Sequence, residues 1–326
     1  MTNHLNRRAM LALGTGALMM ASLPAMAQSE WPSGSVQLVV PARAGGGTDG
    51  AARIVAAALQ EQTGQPFVVV NNPGGGGVVA AETVRSADPD GQTLLFFHSG
   101  ILAMHHTGAI EADPLEDFTT AAAMAVGGTY ALAVAADSPW QNVADLVAAA
   151  EADPNGVTLG VQIRGSTHFM AGLLMMDSGA EFRIVDAGSD ADKLVQLQGH
   201  QIDAAMINTA GTLQYVESGD LRILGTIAGE AGRDPAAPDI PSVAEQGYEN
   251  VLYGLDFLIM GPAGMDDATI DAINAAFTDV VSDPEVAAQF ETMRMPLTAI
   301  PAEETRARLE ATDARVEQTA ELLGLN

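Results

Sequence analysis

The sequence predicts an α/β protein of two lobes, each a mostly parallel sheet flanked by helices. Two observations carry this. Strand-like and helix-like segments alternate along most of the chain, the pattern of parallel sheets covered on both faces. The 326 residues also build two cores of roughly 150 residues more readily than one large one.

In chain order, Val36 to Val40 is a short apolar, β-branched run, read as the first strand. A glycine loop follows, then TDGAARIVAAALQEQ, where Ala51, Ile54, Val55, Ala58 and Leu59 recur at helical spacing. Gly64 ends that helix and Phe67 to Val70 is the second strand. The loop NNPGGGG opens a helix from about Val78 to Ser86, and Thr93 to Phe97 is the third strand. After a loop, strands are expected at Tyr130–Ala135, Val157–Val161, Phe182–Val185, Ile202–Met206 and Leu221–Thr226. Helices are expected between them, near 142–152, 166–178, 189–199 and 210–218. Beyond GEAGRDPAAPDIPS, Gly254 to Met260 reads as a strand, and the remainder as helices over 266–282, 284–293 and 301–323.

The N-terminus carries a different signal. Arg7 and Arg8 precede an apolar run from Met10 to about Leu23, which closes on Ala25-Met26-Ala27. That is an export signal cleaved near Ala27. The run is too short for the roughly 20 residues of a membrane span. The arginine pair fits either a Sec or a twin-arginine route. No other segment reads as a membrane span.

Composition narrows the function. There are 41 acidic and 14 basic residues, a formal net charge of −27, with Lys193 the one lysine. Such a chain repels nucleic acid and anionic lipid. An anionic ligand would therefore need local donors: backbone N–H groups, helix N-termini or an arginine. With no cysteine there is no disulfide, thiolate metal site or lipid-anchoring thiol.

The loop PARAGGGTDG lies between a strand and a helix, so its N–H groups and the positive helix end face whatever binds there. Thr48 or Asp49 can cap the helix, and Arg43 can fork onto a carboxylate. NNPGGGG repeats the design. Two such loops converge at the carboxyl edge of one sheet, where open α/β folds bind ligands. In IRGSTHFMAG, Gly165, Ser166, Thr167 and His168 open a further helix; a plain N-cap explains that segment equally well.

Gly45, Gly47 and Gly50 also match the dinucleotide fingerprint G-x-G-x-x-G. Its acidic partner at the end of the second strand is absent, since Asn71 and Asn72 stand there. Asp186 to Asp192 lacks the glycine and distal glutamate of a calcium loop. His105-His106 is a poor metal spacing, and no G-x-S-x-G elbow is present. No enzyme, metal site or cofactor is expected.

The order VVPARAGGGTD, VVVNNPGGGG with AETVRSADPDGQTLLF, GSTHFMAG, DIPSVAEQGYE and GPAGM resembles the Bug family, over essentially the whole mature chain. These are periplasmic solute-binding subunits of tripartite tricarboxylate transporters. The resemblance implies a two-lobed Venus-flytrap fold, with lobe 1 at 28–130 plus 255–326 and lobe 2 at 131–254. It implies a monomer that captures a small carboxylate, a di- or tricarboxylate or related organic acid, and passes it to integral-membrane transporter subunits. An exported sensory subunit would need the same closing lobes. The site residues it implies are Ala44, Gly45, Gly46, Gly47, Thr48 and Asp49, then Gly74, Gly75, Gly76 and Gly77. Gly165, Ser166, Thr167, His168 and Asn208 complete it from the second lobe. Where the family often reads V-P-Y-K-G, this chain reads VDAGSD, replacing a tyrosine and a lysine by Asp186-Ala187 or thereabouts. Arg43 stands where many members have an apolar residue or proline, and can supply that cation from the other lobe.

Overall fold

The computed structural model describes residues 31–126, 130–229, 232–234, 237–293 and 295–325. The expected export signal and its cleavage near Ala27 lie outside the described residues. Among the described residues no helix is long and apolar enough to cross a membrane.

The chain forms two sheets. The first is built from β1 (Val36–Val40), β2 (Phe67–Asn71), β3 (Thr93–His98), β4 (Phe118–Val126), β10 (Leu255–Pro262) and β11 (Leu297–Ile300). Their order is β11-β4-β10-β3-β1-β2. The second comprises β5 (Tyr130–Ala135), β6 (Thr158–Val161), β7 (Arg183–Asp186), β8 (Ala204–Asn208) and β9 (Leu221–Ile227), ordered β7-β6-β8-β5-β9. The two-lobed α/β reading holds.

One expectation is corrected: the sheets are mixed, not mostly parallel. Parallel pairing is confined to β2-β1-β3 and β7-β6-β8, while β10, β4 and β11, and likewise β5 and β9, pair antiparallel. The parallel strands are successive strands joined through the helices between them, the geometry a parallel pair needs. β10 instead returns from the second lobe and slots between β3 and β4, running against both.

The helices are α1 (Gly47–Thr63), α2 (Val78–Arg85), α3 (Gly100–His106), α4 (Val143–Ala152), α5 (Ser166–Ser178), α6 (Asp190–Gln198), α7 (Thr209–Glu217), α8 (Asp267–Val281), α9 (Pro284–Thr292) and α10 (Ala302–Leu322). α1 packs on α8 and α9, and α10 packs on α3 and reaches α5 of the second lobe. The whole of β10 is buried, as expected of a strand with helices over both faces. Phe96 and Phe257 stack at its centre, ring centroids 5.1 Å apart.

The segment that leads from β9 back to β10 closes on itself at its two ends. Tyr253 N–H donates to the Ala228 carbonyl at 2.8 Å, and Gly229 and Gly254 touch backbone to backbone. Asp256, buried in β10, receives two guanidinium bonds from Arg308 of α10, at 2.6 and 3.0 Å.

Candidate ligand-binding site

β1, β2 and β3 are parallel neighbours, so the loops at their carboxyl ends share one edge of the first sheet. The first loop closes on α1, whose N-cap is Gly46, extended, with no side-chain cap. Neither Thr48 nor Asp49 fills that role. Asp49 is buried and turns back, accepting the Gly45 N–H at 2.8 Å, the Asn71 amide at 2.9 Å and the Arg53 guanidinium at 3.0 Å. These bonds, led by Arg53 and then Gly45, hold its carboxyl down at about 2. Asp49 therefore braces the loop, while the first N–H groups of α1 keep no intrahelical acceptor. Arg43 is exposed, and its side chain has no ion pair or hydrogen bond among the described residues.

The second loop winds through Gly75, Gly76 and Gly77, all at positive φ (62°, 71° and 108°), before α2 starts without a side-chain cap. Glycine is required at Gly77 twice over: a Cβ there would also lie 2.9 Å from Pro41 Cβ, against the first loop. The third loop, missed in the sequence, is His98-Ser99 before α3. His98 Nδ1 accepts the Gly100 N–H at 3.1 Å, and burial pushes the imidazole down to about 4. It is a neutral ring at this edge, not a cation.

The second lobe faces these loops. α5 starts after Gly165, again without a side-chain cap. Ser166 Oγ receives the Tyr253 hydroxyl at 3.0 Å, and a Cβ on Gly100 would lie 3.3 Å from the same oxygen. Thr167 Oγ1 accepts the Gln162 N–H at 2.8 Å. His168 is buried, its Nδ1 accepting the Arg164 N–H at 3.3 Å, and burial lowers its pKa. Asn208 caps α7 through Oδ1, receiving Gly211 N–H at 3.0 Å, which leaves its amide hydrogens for other partners.

A cavity of about 300 Å³ opens between the lobes. Gly47, Met293 and Met295 line it from the first lobe; Asp190, Leu194, Ile207, Asn208, Ala210, Gly211 and Thr212 line it from the second. It thus brings the start of α1 and Asn208 to one space. Gly74–Gly77 and Gly165–His168 are not among its walls, although both lie at the facing sheet edges.

Lys193 escaped the sequence reading, though its being the one lysine was a signal. It is 1% exposed in the first turns of α6, its Nζ 3.1 Å from Asp190 Oδ1 and 3.4 Å from Thr167 Oγ1. The capping box of Ser189 and Asp192 sets the helix so that this side chain points inward. Burial pushes the Tyr130 hydroxyl up, with the charge of Asp190 adding to it. Among the described residues no cluster of His, Asp or Glu could hold a metal ion.

Comparison with known proteins gives a consistent picture. A family profile described as tripartite tricarboxylate transporter family receptor matches residues 51–324. A Cupriavidus necator protein, "UPF0065 protein in gbd 5'region", is 31% identical over 283 residues, covering 86% of this chain and 85% of that one. Protein BugT of Bordetella pertussis is 26% identical, with 80% of each chain covered. Among solved structures, R. palustris Rpa4515 with adipate is 28% identical with a TM-score of 0.77, covering 90% of this chain and 98% of that one.

Proposed function

The chain belongs to the tripartite tricarboxylate transporter receptor family, which includes the Bug proteins, and on that premise we propose that it captures a small organic carboxylate between its lobes. It does so in the periplasm, after cleavage of the signal near Ala27, and delivers the ligand to membrane subunits of a transporter. Lobe 1 comprises 28–130 and 255–326 and lobe 2 comprises 131–254, a division supported by the membership of the two sheets. The chain is a binding protein, not an enzyme.

The observation that carries this reading is the uncapped start of α1 opening on the interlobe cavity, four residues after Arg43, whose side chain has no partner among the described residues. Free N–H groups and the positive helix end suit a carboxylate, and a guanidinium forks onto its oxygens. The uncapped α2 start, on a loop that touches the first through Gly77 and Pro41, adds a second set of donors. A 28% identical relative held with adipate supports the ligand class.

A thermal-shift screen of organic acids, amino acids, sugars and metal ions tests it. A ligand that binds only the folded chain raises the melting temperature. Small carboxylates should give the shifts; a response to neutral sugars or metals with none to carboxylates rejects the reading.

A further inference from the structure

We infer that the second lobe selects a carboxylate that also carries a hydrogen-bond donor, an ammonium or a hydroxyl, over one with a second carboxylate. This rests on the carboxylate-binding reading and names the other half of the ligand. The cavity is polarised. Its first-lobe wall offers the start of α1 at Gly47. Its second-lobe wall, among the described residues, carries one charged side chain, the Asp190 carboxylate.

Asp190 is held there by what lies behind it. Lys193 Nζ bonds Asp190 Oδ1, and that ammonium is shut away from the cavity: it is 1% exposed and does not line the wall. The cation that would receive a second carboxylate is thus already matched, and the oxygen presented is an acceptor. Asp190 Oδ2 has no partner among the described residues, and its side chain stays 43% exposed. A ligand's second carboxylate would meet that oxygen as like charge, whereas an N–H or O–H completes it. The space between is lined by Leu194, Ile207, Met293 and Met295, which suits a short hydrocarbon body.

Calorimetric titration of the mature chain with two matched series tests this. One is butyrate, succinate and butyrates bearing an amino or hydroxyl group at carbon 2, 3 or 4. The other is hexanoate, adipate and the corresponding substituted hexanoates. At least one substituted acid should bind about tenfold or more tighter than both the plain acid and the diacid of its series, the worth of one hydrogen bond to a charged group. Asp190→Ala should abolish that preference and shift it toward the diacid, because Lys193 is released. The double variant Asp190→Ala/Lys193→Met avoids stranding a buried ammonium, and should lose the preference without the shift. A diacid binding as tightly as every substituted acid, or a preference that survives both variants, overturns the inference and leaves the carboxylate reading standing. If no acid binds at all, both fall.

Discussion

Gly229 and Gly254 meet so closely that a Cβ on Gly254 would lie 2.7 Å from Gly229 Cα, and one on Gly229 would lie 2.9 Å from Gly254 Cα. Both residues lie on the connection from β9 to β10, one just after β9 and the other just before β10. Backbone-to-backbone contact fixes how closely the two ends of this connection approach. Gly254→Ala should therefore cost about 1–3 kcal/mol, the range for overpacking a site that cannot yield. Urea unfolding measures this; an unchanged midpoint would show that the two ends of this connection separate freely.

Arg43→Ala should weaken carboxylate binding by about 1.5–3 kcal/mol, the range for hydrogen bonds to charged groups. Stability should stay within about 0.5 kcal/mol, because the side chain is exposed and has no protein partner among the described residues. Titration calorimetry beside urea unfolding separates the two. Unchanged affinity would leave the anion to the backbone loops alone.

Asp49→Ala removes the acceptor of the Gly45 N–H and of one Asn71 amide hydrogen, the other still bonding the Ala42 carbonyl, and should cost about 1–3 kcal/mol. The sign of its pH dependence follows from a carboxyl held down from 3.8 to about 2. Its stabilisation is present above pH 3.8 and is lost as pH falls through 2. His98 acts in a higher window: its folded pKa is depressed from 6.5 to about 4, so the unfolded chain takes the proton first. Stability should decline as pH falls from 6.5 toward 4, and His98→Gln should flatten that part of the curve. A stability profile with the same slope there in both chains would remove His98 from the account.

Arg308→Met leaves the Asp256 carboxylate, 5% exposed as a residue, without its two guanidinium bonds. The expected loss is about 3 kcal/mol, the low end for breaking a buried pair, since Arg308 itself is 34% exposed. Asp256→Asn in the Arg308→Met background should recover part of it, as measured by chemical denaturation. No recovery would mean that the arginine acts through packing rather than charge.

The strongly patterned elements were legible in the sequence. Val36–Val40 and the helices around Ala51 to Leu59 and over 266–282 are found where periodicity puts them. Three elements were not. α3 is seven residues long with no side-chain cap, too short to show a period. β4 reads FTTAAAMAV, and its alanines favour helix; it is a strand because β10 and β11 pair with it on either side. β11 has only four residues and lies at the sheet edge.

The glycine loops of the site were legible because backbone conformation writes itself into composition. Gly75, Gly76 and Gly77 stand in a left-handed stretch that other residues resist. The roles of Asp49, His98 and Lys193 were hidden, because each depends on what folds against it. Asp49 looked like a cap until Asn71 of the neighbouring strand was placed beside it. Lys193 sits 26 residues from Thr167, and nothing local marks them as neighbours.

The position of β10 also sets a timetable for folding. Leu258 pairs with Phe97 on one side and with Ala123 on the other, so the strand that joins β3 to β4 lies more than a hundred residues downstream of both. The second sheet, by contrast, draws all five of its strands from one continuous stretch. Loop closure over long separations slows strand pairing. The second sheet should thus assemble first, while β3 and β4 wait with open edges for their shared partner. Until β10 arrives those open edges should be the place where the folding chain is most prone to aggregate.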